Sequence, residues 1–202
     1  MFTNNQTKLT ILGCGHSEST ENFNNNALIS NSHGRMLIDC GHTIKHALKE
    51  QNLSIGDIDG IYISHVHGDH VFGLERVAYE SRYKFQKKLK LFFHPDIYGA
   101  LWNETLKGSL GYNSEGEASL EDYFDVNVIE NKQFNFINEQ FQLYKVNHTP
   151  VKICHGIALG KKLFYTTDTL CIPEIIEKQS FSLIFHDATT EKTTRSMHPF
   201  RT

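Results

Sequence analysis

The sequence predicts a layered α/β fold, and three observations carry that prediction. Short apolar runs of strand length alternate with segments of helical spacing along the 202 residues. One run, Gly60 to Ser64, reads as a strand of bulky apolar residues, as expected where helices cover both faces of a sheet. It leads directly into a histidine-rich turn and then a helical pattern, the position where layered α/β folds hold ligands. The length suits one domain spanning residues 1–202 with a sizeable core.

Lys8 to Gly13 reads as an apolar strand ending at Gly13-Cys14-Gly15. Ala27 to Ser30 and Arg35 to Asp39 read as a hairpin across Asn31-Ser32-His33-Gly34. Thr43 is placed to cap a short helix whose Ile44, Ala47 and Leu48 share a face. After the histidine-rich turn, Leu74, Val77, Ala78 and Phe85 fall at helical spacing. Lys88 to Phe93 is a strand closed by His94-Pro95, with a helix expected from Asp96 to Lys107. Residues 108–125 hold glycine, serine, acidic groups and the aromatics Tyr112, Tyr123 and Phe124, and read as a loop or lid. Val126 to Ile129, Phe134 to Ile137 and Phe141 to Val146 are expected as antiparallel strands. Gly156 to Leu159 and Leu163 to Thr166 form a hairpin around Gly160-Lys161-Lys162. Pro173 opens a short helix to Lys178, and Phe181 to Phe185 is the last strand.

Composition sets bounds on function. With 39% hydrophobic and 21% charged residues the chain is of ordinary globular type. No apolar run approaches the ~20 residues of a membrane span, and Met1 to Lys8 has no signal-like apolar region, so a cytoplasmic protein without membrane attachment is expected. The four cysteines are widely spaced and suggest neither a zinc knuckle nor a disulfide framework. A net charge of -3 argues against a long nucleic acid as partner.

The run His65-Val66-His67-Gly68-Asp69-His70 is the strongest signal. Three imidazoles and a carboxylate crowded at a strand end cost desolvation and repulsion unless a cation sits among them. A divalent metal, and more naturally a pair, is the simplest such cation. His148 and Asp168 each follow a further strand and would project toward a shared site. Among the twelve histidines, His16, His33, His42, His46 and His94 stand singly and read as surface or supporting residues.

These motifs together resemble the metallo-β-lactamase superfamily. The residues that carry the resemblance are H-x-H-x-D-H at 65–70 with Gly73-Leu74, the earlier Leu37-Ile38-Asp39-Cys40-Gly41, the lone His148, and Tyr165-Thr166-Thr167-Asp168-Thr169. The resemblance implies an αββα sandwich with a dinuclear zinc site, manganese or iron being admissible where carboxylates ligate. It implies His65, His67 and His148 on one metal, Asp69 and His70 on the other, and Asp168 bridging. Two such metals would hold a bridging hydroxide, which Asp69 could orient, for attack on a phosphoryl or acyl centre.

His186-Asp187-Ala188-Thr189 and Ser196-Met197-His198 resemble the two C-terminal loops of the ribonuclease Z-like phosphodiesterases. By that likeness Asp187 steadies His198, which donates a proton to the leaving oxygen. The short distance from His148 to Asp168 leaves no room for a tRNA-binding arm. The chain therefore is similar to the armless relatives, the cyclic phosphodiesterases and the anti-Pycsar type, and a small phosphodiester such as a cyclic nucleotide is the expected substrate. The alternatives are an endoribonuclease acting on RNA, a thioesterase or lactonase on the same fold, and a degenerate metal-binding protein. In the family another helix and strand, ending in a Thr-His ligand to the second metal, normally follow the position of His198. A chain lacking them would expose apolar surface and favour homo-oligomers.

Overall fold

The computed structural model describes residues 6–188, and they fall into two compact units, the first ending at Ile129 and the second beginning at Glu130. The first unit is built on a six-stranded sheet in the order β1-β2-β3-β4-β5-β8. Its strands are β1 (Lys8–Ile11), β2 (Ala27–Asn31), β3 (Gly34–Ile38), β4 (Gly60–Ile63), β5 (Leu89–Phe93) and β8 (Phe124–Val128). The hairpin from β2 to β3 forms as expected, with Asn31 opposite Gly34. From β3 onward the sheet is parallel, so β3, β4, β5 and β8 all end at one edge. β4 lies between two parallel neighbours and is buried at every residue, which explains its unbroken apolar run.

Helix α1 (Ile44–Glu50) buries Ile44, Ala47 and Leu48, the face expected from their spacing. Thr43 precedes it but does not cap it through its side chain. Its hydroxyl instead accepts the Asn24 amide at 2.8 Å, while its own amide donates to Asn24 Oδ1 at 3.1 Å. After β4 come α2 (Gly68–Val71) and α3 (Leu74–Tyr79), which bury Val71, Leu74, Val77 and Ala78. The helix does not reach Phe85. It widens into a π-type turn at Glu80–Lys84, and Phe85 packs against Gly56.

The helix expected over 96–107 is likewise wider than an α-helix from Gly99 to Leu106, with the Thr105 hydroxyl bonded to the Ala100 carbonyl five residues back. Helix α4 (Lys107–Leu110), the small hairpin of β6 (Tyr112–Asn113) and β7 (Gly116–Glu117), and α5 (Leu120–Tyr123) fill the segment read as a loop or lid. Leu110, Leu120 and Tyr123 anchor it in the core. Arg82 fastens it from outside, donating to the Asp122 carbonyl and pairing with Glu115. β8 corrects one expectation. It pairs parallel with β5, because the helical segment between them returns the chain to the same end of the sheet.

The second unit is a five-stranded sheet in the order β13-β12-β11-β10-β9. β9 (Gln133–Phe136), β10 (Glu139–Val146), β11 (Cys154–Leu159) and β12 (Leu163–Tyr165) pair antiparallel in sequence, and β13 (Ile184–Phe185) joins β12 in parallel. Helix α6 (Pro173–Gln179) connects β12 to β13, with proline in its first turn. Val146, Cys154, Ala158, Phe164 and Ile172 form one buried cluster of this unit, with Ile175, Ile176 and Phe181 packed against it. Among the described residues no helix is long and apolar enough to cross a membrane.

Candidate metal centre

The histidine cluster leaves the carboxyl end of β4, at the edge where the parallel strands of the first unit terminate. His65 and His70 are fully buried, Asp69 nearly so, and His67 is partly exposed. His65 Nε2 and His67 Nδ1 are 3.0 Å apart, and His70 Nε2 lies 3.5 Å from Asp69 Oδ2. Two nitrogens on a tetrahedral zinc at ~2.0–2.1 Å are about 3.4 Å apart, so this spacing is close to that of two ligands of one ion. Imidazole and carboxylate groups gathered this tightly in a buried turn suit a divalent cation.

The turn is held by close backbone packing. A Cβ on Gly41 would meet the Asp69 carbonyl oxygen at 2.0 Å, and one on Gly73 would meet the Gly41 carbonyl oxygen at 2.4 Å. The strand end of β3 thus lies directly against the histidine turn, which gives Leu37–Gly41 and Gly73-Leu74 their physical meaning. Cys40 donates its amide to the His70 carbonyl at 2.8 Å, and Gly73 donates to the Cys40 carbonyl at 2.9 Å. Asn26 spans the gap, accepting the Gly41 amide at 2.8 Å and donating to the Asp69 carbonyl at 3.4 Å.

Asp39 has a role that its sequence position does not announce. It is fully buried, with φ of 63° in the left-handed region. One carboxylate oxygen accepts the Ser64 amide at 2.8 Å. The other accepts the Ser64 hydroxyl and His70 Nδ1, each at 2.8 Å. Ser64 in turn lies 3.0 Å from His65 Nδ1. A carboxylate ending an apolar strand needs buried partners, and that was the available signal, but nothing local names residues 64 and 70 as those partners. Burial, followed by the charge of Asp39, pushes the neighbouring Cys40 thiol far up from its ordinary pKa.

In the second unit His148 follows β10 and Asp168 follows β12, and His148 Nε2 lies 3.8 Å from Asp168 Oδ2. The two loops are laced by Thr169, whose hydroxyl donates to the Asn147 carbonyl at 3.2 Å. Thr167, directly before Asp168, is a buried β-branched residue at φ of 57°, a strained conformation of the kind that concentrates at functional sites. Asp187 accepts the Thr169 amide at 3.2 Å, while its own amide donates to the Thr166 hydroxyl at 3.2 Å. The Asp187 side chain therefore holds the turn that presents Asp168. Its burial, then the charge of Asp168, raise its carboxyl above the ordinary carboxylate range. His198, the expected proton donor, lies outside the described residues.

Of the histidines expected to stand apart, His94 uses its ring to accept the Asp96 amide at 3.3 Å, and His16 accepts the Glu18 amide at 3.2 Å. Neither belongs to a group of potential metal donors among the described residues.

Comparison with solved structures identifies the fold. The metallo-β-lactamase fold protein YhfI from Bacillus subtilis matches with a TM-score of 0.66 and 18% identity, over 85% of this chain and 66% of that one. A diphosphatase from the PhnP family gives 0.63 and 19% identity, over 86% and 70%. Human tRNase Z, short form, gives 0.62 and 16% identity, over 93% and 80%. The fold is thus that of the metallo-β-lactamases.

Sequence relatives narrow the family. The anti-Pycsar protein Apyc1 of Paenibacillus xerothermodurans is 36% identical over 163 residues, covering 80% of this chain. The chain spans 65% of that relative's length. Apyc1 of Bacillus phage vB_BveM-Goe7 is 32% identical over 195 residues, 90% of this chain and 75% of the phage protein. The family model of the anti-Pycsar protein Apyc1 matches residues 7–200, and with the metallo-β-lactamase fold and its histidine turn in place, the chain belongs to that family.

Proposed function

We propose that the chain is a metal-dependent phosphodiesterase that opens a cyclic nucleotide. The observation that carries this reading is the buried His65–His70 turn in a chain of the Apyc1 family, because proteins of the anti-Pycsar type degrade cyclic nucleotides. We assign His65, His67 and His148 to one ion, Asp69 and His70 to a second, and Asp168 to both. Neutral imidazoles suit zinc, and the carboxylates of the second set admit manganese or iron. When bound, two divalent ions supply Lewis acidity and bring the pKa of water toward neutrality.

The chain's own groups do the rest. The Asp69 carboxylate orients the attacking water toward phosphorus. Asp187 fixes the Thr169 amide and so the direction of Asp168. It also steadies His198, which protonates the departing ribose oxygen as the ring opens. A compact substrate fits the absence of a basic excess, since the net charge is -3.

The test is a substrate panel with the purified, metal-loaded chain. Cyclic nucleotides and bis(p-nitrophenyl) phosphate should be cleaved, and pre-tRNA, thioesters and lactones left intact. Cleavage of pre-tRNA with cyclic nucleotides untouched would overturn the proposal. His67→Ala should abolish cleavage, and His198→Ala should slow it while metal content is kept.

A further inference from the structure

We infer that the Asp39 carboxylate fixes the tautomers of two metal-facing histidines at once, His70 directly and His65 through the Ser64 hydroxyl. The inference rests on the metal-centre reading for its consequence, but the proton logic follows from the hydrogen bonds alone. A carboxylate has no proton to give, so every group within hydrogen-bond distance of Asp39 must donate to it. The Ser64 hydroxyl has one proton, and it goes to Asp39 Oδ2 at 2.8 Å. The Ser64 oxygen then has only lone pairs left for His65 Nδ1 at 3.0 Å, so His65 must carry its proton on Nδ1. His70 Nδ1, at 2.8 Å from the same Asp39 oxygen, must carry a proton too.

In its neutral form each ring therefore presents an unprotonated Nε2 to the cluster. These two histidines are the ones assigned to different ions. One buried carboxylate thus prepares a ligand for each, and the serine hydroxyl links it to the first. Ser64 is 1% exposed and Asp39 fully buried, so water does not compete for these bonds. Both are positioning residues, since neither is assigned to a metal. Orienting partners of this kind typically change metal affinity by about 10- to 100-fold when removed.

The test uses the full chain labelled with 15N-histidine and stripped of metal by chelator, with long-range 1H–15N correlation reading each ring's tautomer. His65 and His70 should both appear as the Nδ1–H form. Ser64→Ala should release His65 alone, Asp39→Asn should release both, and Ser64→Thr, which keeps the hydroxyl, should restore His65. Zinc titration of the same variants should show Ser64→Ala weakening one site by about 10- to 100-fold and Asp39→Asn weakening both. An Nε2–H tautomer of His65 in the parent protein would overturn the inference. So would a Ser64→Ala variant with the His65 tautomer unchanged. A parent protein with the expected tautomers that binds no metal would instead defeat the metal-centre reading and leave the tautomer relay standing.

Discussion

Gly41→Ala is the substitution whose cost the structure states most directly. The added Cβ would lie 2.0 Å from the Asp69 carbonyl oxygen, and 2.8 Å from both the Asp69 carbonyl carbon and Asn24 Oδ1. Side-chain carbons essentially never approach closer than 3.0 Å, so one strand end must move by about 1 Å. No side chain can rotate to relieve it, because the first atom met belongs to the backbone. The move pulls Gly41 from Asn26, which holds its amide at 2.8 Å and steadies the Asp69 carbonyl as well.

Overpacking of this kind costs about 1–3 kcal/mol. At ~2 kcal/mol the melting temperature of a chain this size falls by about 4–8 °C. A displacement of ~1 Å at Asp69 should also lower catalytic rate by about 100-fold. The matched control is Gly108→Ala. Gly108 lies within α4 with nothing inside 4 Å of an added Cβ, so alanine there should be neutral or stabilise by up to ~1 kcal/mol. Calorimetry and zinc titration of both variants decide the matter. A Gly41→Ala protein with the parent's melting temperature and metal affinity would refute the argument.

Three further outcomes are expected. Under native conditions a thiol reagent should label the exposed Cys14 and Cys171 and spare the buried Cys40 and Cys154, and denaturant should release all four; rapid native labelling of Cys40 would contradict its burial. Asp187 has a folded pKa above its unfolded value, so its contribution to stability is present below the ordinary carboxylate range and lost as pH rises through the folded pKa. In chelator-treated protein, Asp187→Asn should therefore be more stable than the parent near pH ~7 and converge on it toward pH ~4, close to the unperturbed carboxylate value, and a urea-unfolding gap independent of pH would count against this. Arg82→Ala should loosen the β6–β7 hairpin, which Arg82 holds through Glu115 while bonding the Asp122 carbonyl of α5, and raise its amide exchange while changing global stability by less than about 1 kcal/mol.

The elements that could be read from sequence are those whose pattern is local. β4 declares itself because both faces are buried and every residue is apolar, and the histidine turn declares itself because its donors are neighbours in the chain. What failed depended on distant partners. Val126 to Ile129 shows strand composition, but its parallel pairing with β5 is decided by the intervening helical segment. Thr43 has the side chain of a helix cap, yet Asn24, nineteen residues earlier, claims its hydroxyl. Phe85 fits a helical spacing that the π-type widening after Tyr79 takes out of register. Asp39 was visible as a residue and not as a keystone, because Ser64 and His70 lie 25 and 31 residues away.

We propose that the donors at His65–His70, His148 and Asp168 serve one dinuclear centre that cleaves a cyclic phosphodiester. Metal analysis of the purified chain, paired with 31P NMR of a 3′,5′-cyclic nucleotide incubated with the same sample, tests it most directly. About two divalent ions per chain and conversion of the cyclic diester to a linear monophosphate are expected, both lost in His67→Ala. A chain that binds one ion or none, or one that holds two and leaves every cyclic nucleotide intact, would contradict it.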